Sequence, residues 1–156
     1  MAQNDQLVDV LNDLIEINND RVVGYQKAVE ESKDSDVDLI ATYNKLADDS
    51  RGFAAELRQE VSKLGGEPVQ DGTTNKGKVY RVWMDIRSAF SGHDRHSVLA
   101  NNEYGEDAAQ KAYNEALQSD AEMSADVRQL ITEQKAKLKE AHDMIKKYRD
   151  AEAAVS

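Results

Sequence analysis

The chain has 156 residues, a formal net charge of −10, a single proline and no cysteine. That length suits one domain with a sizeable core. The absence of cysteine excludes a disulfide framework and a thiolate metal site, and the negative charge opposes binding to nucleic acid or anionic lipid. The opening MAQNDQLVDVLNDL has neither the basic region nor the apolar core of a signal peptide, and no run of about 18 apolar residues occurs. The expectation is a cytoplasmic protein with no nucleic-acid or membrane partner. The one basic cluster, Lys135, Lys137, Lys139, Lys146, Lys147 and Arg149, falls near a predicted helix C-terminus, where cations complement the dipole.

In chain order, a first helix is predicted over residues 5–31, with Leu7, Val10, Leu11, Leu14, Ile17, Val22, Tyr25, Ala28 and Val29 at three- and four-residue steps. A second is predicted over 36–64. Ser35 and Asp38 resemble a capping box at its start, its stripe is Leu39, Tyr43, Leu46, Phe53, Leu57, Val61 and Leu64, and Gly65-Gly66 ends it. The long connection that follows carries a short helix over about 78–90. Val79, Val82, Trp83, Ile86, Ala89 and Phe90 form its apolar face, which either docks on the bundle or serves a partner. A third long helix is predicted over 94–118. A fourth, over 120–150, is expected to start from a Ser119–Glu122 capping box and to carry the stripe Met123, Val127, Leu130, Ile131, Leu138, Ala141, Ile145 and Tyr148, with a fraying tail.

Tight links make each pair of long helices an antiparallel hairpin. The long connection between the pairs lets the second hairpin enter from the opposite end. The predicted fold is therefore all-α, an up-down-down-up ferritin-like four-helix bundle in one domain. The hairpins are also weak repeats: NDRVVGYQKAVEES (19–32) aligns without gaps on DAAQKAYNEALQSD (107–120), placing Tyr25 on Tyr113 and Ala28 on Ala116.

LNDLIEINNDRVVGYQKA, LADDSRGFAAELRQEVSKLGGEP, KGKVYRVWMDIRSAF and YGEDAAQKAYNEAL occur in that order. Together they resemble a bacterial ferritin-like four-helix-bundle family of unknown function, the domain of unknown function 2383. The resemblance spans about residues 5–150. It implies the bundle fold and a weak link to stress, and it supplies no activity.

Ferritin-like di-iron proteins often place a Glu seven residues before a helix Tyr in the first helix of each pair, and Glu-x-x-His in the second. Seven residues before Tyr113 is Glu106, but seven before Tyr25 is Asn18. The polar interruption of the second helix's seam is Ser50, with Phe53 in place of the His; that of the last helix is Gln134, with no His three residues on. One carboxylate and no imidazole do not hold a di-iron pair. No metal and no cofactor are therefore expected at this centre. Arg21, one turn beyond Asn18, either pairs with a buried Glu106, with Asn18, Ser50 and Gln134 completing a polar core that fixes helix register, or snorkels to solvent on a rotated first helix while Glu106 meets water. His93 and His96 flank a helix start. His142 sits on the edge of the last helix, where Glu140 and Asp143 are expected to point away from it.

The reading is a non-enzymatic bundle acting through self-association or a protein partner. The rival is a metal-handling oxidase with ligands such as Glu16, Asp20, Glu103, Glu106 and His142. A third option is a small-molecule pocket under the crossover helix.

Overall fold

The computed structural model describes residues 2–32, 34, 36–70 and 95–155, and the helix predicted over 78–90, with Trp83, lies outside them. Among the described residues four helices follow in chain order: α1 (Ala2–Glu31), α2 (Val37–Lys63), α3 (Arg95–Leu117) and α4 (Ala125–Val155). Their bundle follows from the seams, because each helix buries its three- and four-step stripe and leaves its charged face in water.

Two helix starts differ from the sequence reading. Ser35 lies outside the described residues, and Asp36 occupies the N-cap of α2 without a side-chain cap bond. The last helix begins at Ala125, not 120. Ser124 caps it, its Oγ accepting the Val127 N–H at 3.2 Å. Ser119 and Glu122 stand in the preceding loop: the box pattern was present, but the chain turns once more before the helix forms. At its other end α4 continues through Val155 rather than fraying at 150.

The α2 C-terminus closes as a two-bond Schellman turn. The Gly66 N–H donates to Val61 O and the Gly65 N–H to Ser62 O, each at 3.0 Å. Gly65 takes the left-handed conformation, φ +79°. Gly66 is packed so closely that a Cβ there would come within 2.8 Å of both Val8 methyl groups.

Cross-helix contacts fix the direction of each neighbour. On the α1–α2 face Tyr25 stacks on Tyr43 while Arg21 meets Ser50. Between α1 and α3, Asn18 meets Tyr113 and Arg21 meets Glu106. Between α3 and α4, Tyr113 meets Gln134 and Glu103 meets Arg149; between α2 and α4, Phe53 meets Gln134 and Thr42 meets Tyr148. Every neighbouring pair runs antiparallel, which is possible only if α3 points the same way as α2. This is the up-down-down-up order of a ferritin-like bundle.

The connection leaving α2 starts back along α1. Asn12 donates to Glu67 O and accepts the Val69 N–H, Asn19 donates to Gln70 O, and Arg58 of α2 holds both Val69 O and Asn19 Oδ1. α2 ends beside the start of α1, and α3 begins beside the end of α1.

The core is layered. Leu7, Leu11, Leu14, Phe53, Leu57, Val61, Ile131 and Leu138 fill one apolar cluster; Tyr25, Leu39, Tyr43, Leu46, Val98, Leu99 and Ile145 fill the other. Between them lies a layer of buried polar side chains from all four helices: Asn18, Arg21, Ser50, Asn102, Glu106 and Gln134.

Candidate functional site

The polar layer forms because the seam of each helix, apolar above and below, is interrupted once or twice at the same height. Arg21 is fully buried, and its Nε and Nη2 converge on one oxygen, Glu106 Oε1, at 2.7 and 2.6 Å. Its Nη1 donates to Ser50 Oγ, so this one side chain ties α1 to α2 and α3. Burial pulls the Arg21 guanidinium pKa down, but the charge of Glu106, helped by Tyr25 and Tyr113, more than offsets that and holds it above the ordinary arginine value. Arg21 also lies 5.4 Å from the centre of the Tyr25 ring, within cation–π range.

Asn18 and Gln134 do not reach this ion pair. They belong to a second chain of hydrogen bonds one turn away. Asn18 Nδ2 donates to Leu14 O at 2.9 Å and to Tyr113 Oη at 2.8 Å; Tyr113 Oη donates to Gln134 Oε1 at 2.7 Å; Gln134 Nε2 donates to Phe53 O at 3.2 Å. That chain visits α1, α3, α4 and α2 in turn. Burial pushes the Tyr113 hydroxyl pKa up, only partly countered by the bond from Asn18. Burial, then the Glu106 charge, raises Tyr25 still more clearly.

The two tyrosines obey the internal repeat. Tyr25 lies against Glu106, seven residues before Tyr113, and Tyr113 bonds Asn18, seven residues before Tyr25. Sequence reasoning used both as repeat markers and missed them as network members. The available signal was a hydroxyl-bearing side chain on the same seam, because a buried phenol seeks a partner.

These residues do not fit a two-metal carboxylate centre. Glu106 is the buried carboxylate that meets Arg21, and a permanent guanidinium cation already fills the space against it. Among the described residues no histidine enters the layer. His142 sits on the outer α3–α4 seam, His93 lies outside the described residues, and nothing is described of the His96 side chain. The docking face predicted at Val79, Val82, Trp83, Ile86 and Phe90 also lies outside them. Of the rival ligands, Glu16 and Asp20 line a groove between α1 and α3, and Asp20 is itself buried.

A second polar cluster was not legible as such. Glu103 and Asp107 of α3 and His142 of α4 bring one ligand atom each to within 4.8 Å of one another. His142 Nε2 is 2.5 Å from Asp107 Oδ1, and Nδ1 is 3.2 Å from Asp143 Oδ1, so Asp143 reaches back to the imidazole rather than pointing away. Arg149 pairs with Glu103. Partial burial pulls the His142 pKa down, and the hydrogen bonds and charges of Asp143 and Asp107 outweigh it, leaving it above the ordinary histidine value.

Comparison with known proteins gives one family and one fold. The model of the domain of unknown function (DUF2383) matches residues 6–120. No curated protein sequence matches the chain. Among solved structures, a mutant of Dps1 from Mycobacterium smegmatis superposes with a TM-score of 0.81 at 13% identity, covering 95% of this chain and 97% of that one. At that identity the likeness shows the fold alone. With the family model spanning most of the chain and the bundle running up-down-down-up, the protein belongs to the domain of unknown function 2383 family and has a ferritin-like fold.

Proposed function

We propose that this protein is a non-catalytic ferritin-like bundle in which a polar, ion-paired layer replaces a metal centre, and that it acts through its surface by self-association or by binding a protein partner. The observation that carries this is Arg21, buried with its charge against Glu106 at the level where ferritin-like di-iron proteins gather carboxylates. A fixed cation there opposes a second one. The layer's work is then to set helix register, because a shifted pairing would bury Glu106 without a partner.

Surface action in a bacterial cytoplasm, with a link to stress, belongs to the same proposal. The net charge supports a protein partner over nucleic acid. No helix among the described residues is long and apolar enough to cross a membrane. Tyr104 on α3 and Val37 at the start of α2 are the large apolar side chains left exposed among the described residues.

Metal analysis of protein purified without chelator, combined with light scattering, tests the reading. It expects no pair of ions in the centre and a defined oligomer or a co-purifying protein. Two ions about 3.5–4 Å apart, the spacing of two-metal sites, would overturn it. The rival metal-handling reading keeps one specific support, the meeting of Glu103 and His142 with Asp107.

A further inference from the structure

We infer that Glu103, Asp107 and His142 form a binding site for one divalent cation of the zinc or cobalt type, clamping α3 to α4 outside the polar layer. The site is built on rigid elements. Glu103 and Asp107 are four residues apart on α3 and so share a face, and His142 comes from the antiparallel neighbour α4. Donor atoms already within 4.8 Å of one another need shift by only about an ångström to close on an ion at the 2.0–2.2 Å expected for nitrogen and carboxylate ligands.

The imidazole is pre-set for this. Asp143 stands at its Nδ1 and leaves Nε2 facing Asp107, the carboxylate–histidine arrangement that orients metal-bound imidazoles. One nitrogen and two carboxylates suit a borderline cation and leave coordination positions for water. Neither Glu103 nor His142 is freely solvated: their side chains are 15% and 21% exposed.

The local charge also favours a cation. Glu103, Asp107 and Asp143 converge on the imidazole, opposed by Arg149 on Glu103 and by Lys139 on Asp143. Arg149 is the competitor, a single charge held on one prospective ligand. A divalent ion replaces that contact with a stronger one shared by three groups. The site does not depend on the fate of the central layer, since Glu106 faces inward from α3 while Glu103 and Asp107 face α4.

Titration of the full-length, chelator-stripped protein with Zn²⁺ by calorimetry, and with Co²⁺ by visible absorption, tests the inference. The expected result is saturable binding of one ion per chain, with ligand-field bands for Co²⁺. His142→Gln should abolish it and Asp107→Asn should weaken it at least tenfold. Arg149→Met, which frees Glu103, should tighten it. These are surface positions, and circular dichroism should show each variant as helical as the parent. No saturable binding up to about 1 mM, the weak end of the affinity scale, would overturn the inference, as would undiminished binding in His142→Gln or an affinity that does not rise in Arg149→Met. Glu106→Gln separates the two sites. Unchanged binding there supports the outer site, whereas binding lost with Glu106 and kept without His142 would refute both this inference and the proposed function.

Discussion

Arg21 meets Glu106 in a buried layer between two apolar clusters, where the other polar members Asn18, Ser50, Asn102 and Gln134 are uncharged, so each charge has the other as its main compensation. Removing one partner strands the other. Arg21→Met should cost about 3–5 kcal/mol, and adding Glu106→Leu should recover much of that loss, because a buried pair replaced by apolar groups of similar volume is often near neutral. A double-mutant cycle on urea unfolding checks this, and near-additive losses would mean that the pair contributes no coupling. His142 gives a pH-dependent prediction in metal-free protein. Its folded pKa is raised, so its contribution to stability is fully present below the unfolded value near 6.5 and fades as pH rises through the higher folded value. The effect is small because the group is on the surface, but an NMR titration should place the imidazole above the ordinary range, and Asp107→Asn should bring it down. At this scale the sequence showed which residues interrupt the seams and offered the Arg21–Glu106 pair, but not how the remaining polar groups divide. Spacing along one helix says nothing about a facing helix's height, so Asn18 and Gln134 were expected around Arg21 and instead join Tyr113.

Helix limits were legible where glycine wrote them and misread where serine did. Gly65-Gly66 marks the end of α2 because a left-handed residue is needed there. Two serines precede α4, and the one with a glutamate three residues on is not the cap. Ser124→Ala should therefore lower stability by about 1 kcal/mol through the lost cap, with Ser119→Ala clearly milder. The glycines of α2 and its turn split in the same way. Gly52 lies inside the helix with open space where a Cβ would go, so Gly52→Ala should stabilise by up to about 1 kcal/mol. Gly65→Ala forces a Cβ into the left-handed region and should destabilise by about 1–2 kcal/mol. Thermal melts of the four variants would sort them, and a stabilising Gly65→Ala would contradict the turn as described.

The topology of the whole molecule followed from one feature of the sequence, a connection too long for adjacent helix ends, and the ferritin-like bundle agrees with it. What the bundle does was not legible, because its distinguishing residues are changes inside a shared fold rather than a motif that carries chemistry. The four faces of the bundle are not equivalent. α1 packs closely on α2, and α3 on α4, whereas α2 and α4 touch least among the neighbouring pairs and leave a cleft of about 610 Å³ that includes Gly52 and Phe53. Gln134 spans that gap to Phe53 O and Glu56. The molecule is thus bound like a book, its spine along α1 and α3 and its open edge between α2 and α4. Thermal breathing should part the two leaves at that edge first, with Gln134 as the clasp. In native-state hydrogen exchange, amides of α2 and α4 bordering the cleft should lose protection at lower free energy than those at the centre of α1, and Gln134→Leu should widen the difference.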